Sequence, residues 1–213
     1  MRAARVPSVT DLYAAYATDR ENRMWTYLPH GPYPRLEDYL ERVRTASLGN
    51  DPLVHAIIDL RSGKPLGQAS YMNIDPSAGC IEVGGIAYAP ALQRTMAATE
   101  AMYLMMRRAF DELGYRRYAW QCNALNAPSR AAALRLGFTL EGIFRQAGVP
   151  KGRNRDTAWF SLLDSEWPAR KAAFERWLDP ANFDGKGRQR FTLSTLVRQV
   201  EAGSAPTDCH ESG

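Results

Sequence analysis

Cysteine is scarce in this chain. There are three, Cys80, Cys122 and Cys209, odd in number and far apart. That spacing excludes a disulfide framework and a paired CxxC metal site, and points to a reducing, cytoplasmic setting. Histidine is equally sparse, and His30, His55 and His210 stand at no ligand spacing, so no metal site is expected. No apolar run approaches the roughly 18 residues of a membrane helix. The opening MRAARVPSVTD is basic but has no apolar signal core, so neither a secretion signal nor a membrane partner is expected. Internal repeats and low-complexity linkers are absent from the body of the chain.

What is present is an ordinary globular composition in 213 residues, enough for one domain with a real core. Lys and Arg number 27 against 23 Asp and Glu, a net charge of +4. An anionic cofactor, an acidic substrate or nucleic acid would suit that charge, and so would a merely solvated basic surface.

The patterning alternates helix and strand. TDLYAAYATDRENRMW reads as a helix with Ser8 or Thr10 as its cap, and RLEDYLERVRTAS as a second, with Leu36, Tyr39, Leu40 and Val43 on one face. LVHAIID, LGQASYMN and CIEVGGIAY read as a meander of strands separated by the turns RSGKP and DPSAG. A helix is expected from about Met96 to Leu113, stopped by Gly114. RRYAWQCN is a strand, and APSRAAALRL a short helix capped by Asn126 with Pro128 in its first turn. FTLEGIFRQAG and DTAWFSLLD form a strand pair around the basic loop KGRNR, and DSEWPARKAAFERWL closes the body as a helix. This is a mixed α/β layer arrangement over residues 1–200, followed by a small polar tail, 201–213, expected to be disordered.

Two stretches suggest chemistry. Gly84 and Gly85 interrupt a good strand, which marks either a bulge with a close backbone approach or a packing glycine. Asn126 and Ser129 stand three apart at a helix start. They read as a cap with its companion, or as a pair of polar groups facing a ligand.

Together, IEVGGIAYAPALQRTMAATEAMYLMMRRAFDELGYRR, NAPSRAAALRLGFTLEGIFRQ and KGRNRDTAWFSLL resemble the Gcn5-related N-acetyltransferase (GNAT) superfamily. The resemblance is to the branch of ribosomal-protein N-terminal acetyltransferases, and it covers about Leu53 to Leu163. It implies an α/β (α+β) fold: a mixed, mostly antiparallel twisted sheet with helices on both faces. The cofactor-binding core would span about 80–140 and a C-terminal helical extension about 164–200. The first edge strand of the family is short or missing here.

The resemblance further implies acetyl-CoA as co-substrate and a direct attack of a primary amine on its thioester. The amine would belong to a protein N-terminus or a small molecule. Backbone groups of Ile86, Ala87 and Tyr88 would meet the pantetheine and polarise the carbonyl. The family loop Q/R-x-x-G-x-G/A would hold the pyrophosphate through Gln93, Arg94, Thr95, Met96, Ala97 and Ala98. Met96 replaces its middle glycine, which a helical backbone at that position would allow. Ser129 is the implied acid for the leaving thiolate, and Asn126 would order the pantetheine or a water.

Relatives carry a glutamate where this chain has Gly148, and an aromatic where it has Pro150. Glu82 is then the remaining carboxylate for the base, acting through water, with a plain salt bridge as its other reading. On that basis Glu82→Gln is expected to lower the rate only modestly. Small residues at Gly85, Ala87 and Gly148 also suit a wider acceptor pocket. Trp25, Tyr27, His30 and Tyr33 would form the acceptor wall or simply pack on the sheet. Lys151, Arg153 and Arg155 would steer an acidic acceptor or an RNA-rich particle, or merely be solvated. A catalytically weak CoA-binding protein and a basic ribosome- or RNA-associated module remain as alternatives. Whether the chain is a monomer or a homodimer is left open.

Overall fold

The computed structural model describes residues 9–203. Residues 1–8, where the first edge strand would lie, and 204–213 of the expected tail are outside the described residues.

Helix α1 spans Val9–Tyr16 and α2 Leu36–Ala46. The expected first helix is cut short at Tyr16. Beyond it, Thr18 Oγ1 donates to the Ala15 carbonyl at 2.7 Å and Asp19 Oδ2 accepts from the Met24 N–H at 2.8 Å. Short polar side chains that bond the local backbone compete with helix propagation. Asn22 then turns the chain at φ 56° into a 3-10 turn, Arg23–Trp25.

Six strands follow: β1 Leu53–Asp59, β2 Lys64–Asp75, β3 Cys80–Tyr88, β4 Arg117–Asn123, β5 Thr139–Gly148 and β6 Arg155–Leu163. They form one sheet in the order β1-β2-β3-β4-β6-β5. Every pair is antiparallel except β3–β4, which is parallel. Helix α3, Met96–Arg107, makes the crossover between the parallel strands. Its expected extension to Leu113 is instead a π turn, Arg108–Glu112, after which Gly114 takes φ +70°.

Helices α4 Ala127–Arg135 and α5 Trp167–Leu178 stand where the sequence placed them. A last helix, α6 Leu193–Gly203, ends the expected helical extension; it was not read as a separate element, and it runs past 200 into the stretch expected to be tail. Its signal is present: Thr192 Oγ1 accepts from the Thr195 N–H at 3.1 Å, and Leu193, Leu196 and Val197 are buried at helical spacing.

The larger core joins α3, α4, α5 and α6 to the sheet through Met106, Tyr118, Phe160, Leu162 and Phe174, all fully buried. A smaller core packs α1 and α2 through Leu12, Tyr16, Trp25 and Tyr39 against Ala87 and Ala89.

The paired glycines control how β3 serves both cores. Ile81 and Val83 face the larger core, so Glu82 and Gly84 face the other side. Strict alternation would then turn Tyr88 away from the larger core, yet Tyr88 packs against it and Ala87 lies in the smaller one. A bulge resolves the mismatch. On β2, Gln68 pairs with Ala87 and Ser70 with Gly84, so β3 carries one residue more between these pairs. Gly85 supplies the left-handed angle, φ +57°, that this extra residue requires.

Candidate active site

The parallel pairing of β3 with β4 runs from Cys80↔Arg117 to Val83↔Trp120 and stops there, although both strands continue. Past the glycines the two strands part. The Ala89 N–H donates to the Leu66 carbonyl on β2 at 2.9 Å. Neighbouring residues of a strand point their polar groups to opposite edges, so the Tyr88 N–H and C=O face the gap toward β4. Gln93 Nε2 donates to that Tyr88 carbonyl at 2.9 Å. The gap therefore presents backbone hydrogen-bonding groups that the sheet leaves unused, a fit for an extended amide-bearing arm.

At the end of β3 the chain enters α3. Thr95 is the N-cap; its Oγ1 accepts from the Ala98 N–H at 3.2 Å and donates to the Leu92 carbonyl at 2.7 Å. The N–H groups of Met96 and Ala97 have no acceptor inside the helix, because the first turn lacks a preceding one. Met96 has the helical backbone the sequence reading required of it. The left-handed residue is Arg94, at φ 59°. A non-glycine residue there costs on the order of 1 kcal/mol, and it places an arginine in the loop two residues before the free N–H groups. The helix dipole adds positive potential at the same end, so the loop suits a phosphate.

Ser129 and Asn126 sit at the start of α4, just beyond β4. Asn126 Oδ1 accepts from the Ser129 N–H at 3.2 Å, so the asparagine caps the helix. Trp120 Nε1 donates to Ser129 Oγ at 3.0 Å. The hydroxyl thus accepts from Trp120 and keeps its own proton for another acceptor. The Cys122 thiol lies beside Ser129. Burial pushes its pKa up, against the opposing pull of Ser129, Arg155 and Arg130, which disfavours the thiolate a nucleophile would need.

Glu82 is buried on the opposite side of β3 from the larger core. Its Oε2 accepts from Asn73 Nδ2 at 2.7 Å and from Gln121 Nε2 at 2.6 Å. No bond to Oε1 is found among the described residues. Burial raises the Glu82 pKa, while Asn73, Gln121 and Arg155 pull it down and Asp51 pushes it up. Asn73 itself takes a left-handed backbone, φ +49°, which asparagine tolerates better than other non-glycine residues. Asp51 fixes it there by accepting from the N–H groups of Asn73 and Ile74 at 3.2 and 3.0 Å. Gly84, next to Glu82, has no room for a side chain, because a Cβ would collide with Met72 Sδ. Asn73 and Gln121 were not read from the sequence as part of any site. They approach Glu82 only through strand register.

The loop between α1 and α2 is drawn over this region. Tyr27 Oη donates to the Leu125 carbonyl at 3.0 Å, and Lys151 Nζ to the Trp25 carbonyl at 2.8 Å. Trp25 is buried in the smaller core, edge-on to Tyr16 and Tyr33. Of the four aromatic candidates, Tyr27, His30 and Tyr33 keep partial exposure. Burial lowers the His30 pKa to about 4, helped by the positive charges of Arg42 and Lys151. Its Nδ1 is buried without a hydrogen-bond partner.

The sign of that shift predicts acid sensitivity. A histidine whose folded pKa lies below its unfolded value supports the fold fully above about 6.5, its usual value. That support is lost as pH falls toward about 4. His30→Phe, which retains an aromatic ring beside Trp25, is expected to lose less stability than the parent between pH 7 and pH 5. Urea unfolding at the two pH values measures it; equal losses would show that His30 carries no such linkage.

Among the described residues no helix is long and apolar enough to cross a membrane, and no cluster of metal-ligating side chains is found.

A sheet that parts beside a helix N-terminus, with a clamped carboxylate on its other side, is the frame of an acyl-transfer enzyme. Comparison with known proteins agrees. Residues 2–139 match the family model described as an acetyltransferase (GNAT) domain. The crystal structure of a GCN5-related N-acetyltransferase from Brucella melitensis is 48% identical, covers 89% of this chain and 86% of its own, and superposes with a TM-score of 0.87. The uncharacterized N-acetyltransferase YnaD of Bacillus subtilis (strain 168) is 23% identical over 168 residues, 74% of this chain and 90% of that protein. YdaF of the same organism, provisionally named a ribosomal N-acetyltransferase, is 31% identical over 112 residues, 53% of this chain and 61% of its own. The chain belongs to the GNAT acetyltransferases, a family that uses acetyl-CoA as co-substrate.

Proposed function

We propose that this protein transfers the acetyl group of acetyl-CoA to the primary amine of a protein N-terminus or a small molecule. The amine attacks the thioester directly. Glu82 takes the amine's proton, directly or through one water, and releases it to solvent; Ser129 gives a proton to the departing thiolate and regains one from solvent. The observation that carries this reading is Glu82 itself. It is a buried carboxylate whose Oε2 is tied by two amides, at 2.7 and 2.6 Å, leaving Oε1 unbonded. A group held that way keeps its orientation while one oxygen stays open to receive a proton. The unpaired backbone of β3 supports the pantetheine role of Ile86 and Tyr88, whereas Ala87, paired with Gln68 and accepting from Tyr16 Oη, turns its backbone to β2 and away from the gap. Arg94, with the free N–H groups of Met96 and Ala97, supports phosphate binding, with Gln93, Thr95 and Ala98 holding the loop's shape. The proposed domain is a single unit with its cofactor-binding core at about 80–140.

Acetyl-CoA is expected to raise the melting temperature, since a ligand that binds only the folded state stabilises it by mass action. Arg94→Glu should cut that rise by placing negative charge beside the phosphates. No melting shift and no calorimetric heat at high acetyl-CoA would sink the proposal. Thiol release with an amine panel then separates an active enzyme from a protein that only binds CoA.

Ser129→Ala is expected to lower kcat by about tenfold while leaving acetyl-CoA affinity nearly unchanged, as for a group acting in the transition state. Unaltered turnover would reduce Ser129 to the acceptor of the Trp120 hydrogen bond.

A further inference from the structure

Arg155 opens β6 and stands across the sheet from Gly148. A Cβ placed on Gly148 would meet only Pro150 Cδ, at 3.9 Å, so the space opposite Arg155 is open. Its Nε donates to Thr157 Oγ1 at 3.1 Å, and Thr157 is buried. That bond secures one edge of the guanidinium. No hydrogen bond or ion pair from its two terminal nitrogens is found among the described residues. Arg35, Arg44, Arg117 and Arg188, by contrast, each meet a carboxylate within 3.0 Å. Side-chain alternation puts Arg155 on the face of Thr157, which pairs with Asn123 at the end of β4. This is the mouth of the parting strands. The charge of Arg155 reaches both Glu82 and Cys122 there, without closing an ion pair on Glu82.

A half-buried guanidinium with an unpaired fork is suited to a planar anion. Glu82 beside it is suited to a cation. The two charges stand as the complement of a molecule that carries an ammonium and a carboxylate close together. The surrounding charges agree. Lys151 and Arg153 share the hairpin tip, and Arg42 faces His30. Of the acids, Asp51 is committed to the Asn73 and Ile74 N–H groups, and Asp156 to the Gln146 N–H and Asn154.

We infer that Arg155 binds a carboxylate of the acceptor, and that the acceptor class is a primary amine with a carboxylate beside it. This rests on the reading of Glu82 as the proton acceptor of the same site. The carboxylate would come from a free amino acid or from an acidic first residue of a peptide, and the test has an arm for each.

The experiment measures CoA release with matched acceptors: aspartate and glutamate against their α-amides, and tripeptides opening with Asp against those opening with Asn. The carboxylated member should have the higher kcat/KM by about tenfold in one arm, the size expected for one charge-assisted hydrogen-bonded pair. Arg155→Gln should abolish that preference by raising KM for the carboxylated acceptor only. Arg155→Lys should restore part of it. The rise in melting temperature with acetyl-CoA should persist in both variants, which reports intact folding. Absence of a preference in both arms overturns the inference, as does an equal loss for charged and neutral acceptors in Arg155→Gln. A preference that persists while Glu82→Gln keeps full activity would retain the anion subsite and remove Glu82 as base.

Discussion

Glu82→Gln is expected to lower kcat by about 100-fold and to leave acetyl-CoA binding intact. That is the low end of what a positioned general base contributes. The sequence alone suggested a modest effect, because a water could relay the proton in place of the carboxylate. Burial and the two amide bonds to Oε2 change that expectation. The pH profile gives a second readout. The base must be ionised, and burial raises its pKa, so the rate climbs as pH passes through that raised value. Beyond it the rate follows the acceptor amine, which must be neutral to attack. Gln121→Leu removes one stabilising donor and should move the Glu82 limb further toward alkaline pH.

Stability runs the opposite way. A carboxylate whose folded pKa is raised supports the fold fully below its unfolded pKa, and that support is lost as pH rises through the folded value. Glu82→Gln should therefore melt slightly higher than the parent at pH 8, with the difference shrinking toward pH 4. A variant with unchanged kcat across the pH range would show that Glu82 is not the base.

Gly85→Val is expected to destabilise the fold by about 2 kcal/mol, the cost of forcing a β-branched residue into a left-handed angle. For a chain of this size that is a fall of roughly 4–8 °C in melting temperature. A Cβ there also meets Ser70 Oγ at 3.1 Å, so the neighbour has to give. The strand would relieve the strain by losing its bulge. Ile86, Ala87 and Tyr88 would then exchange faces, and the backbone turned toward the β4 gap would turn away. The acetyl-CoA melting shift should disappear along with the stability. Gly142→Val is the control, since no atom lies within 4 Å of its Cβ position and its φ is not in the left-handed region. Equal behaviour of the two variants, or a full acetyl-CoA shift in Gly85→Val, would separate the bulge from cofactor binding.

Much of the fold was legible because its signals are local. Alternation over CIEVGGIAY marks a strand whose observed limits, Cys80–Tyr88, coincide with it. Asn126 as a cap and Pro128 in the first turn announce α4. The loss of α1 beyond Tyr16 was not legible, because helix propensity ran on while Thr18 and Asp19 took the backbone elsewhere. Helix α6 was legible in principle, through Thr192 and the buried Leu193, Leu196 and Val197. It was covered by the expected extension to about 200 but not resolved as an element of its own between a basic loop and a polar tail.

The sequence by itself determined the family, the order of the central elements, the glycine pair and the helix start that follows it. Each depends on residues within a turn or a strand of one another. Tertiary structure alone decided how Glu82 is held. Its clamp joins Asn73, nine residues away, to Gln121, thirty-nine away, and both reach it only through the register of β2, β3 and β4. It alone also set Arg155 against the bare Gly148 at the mouth of the gap. Local propensity specifies which segments are strands. Which side chains meet across them is set by pairing register, where a slip of one residue exchanges every face.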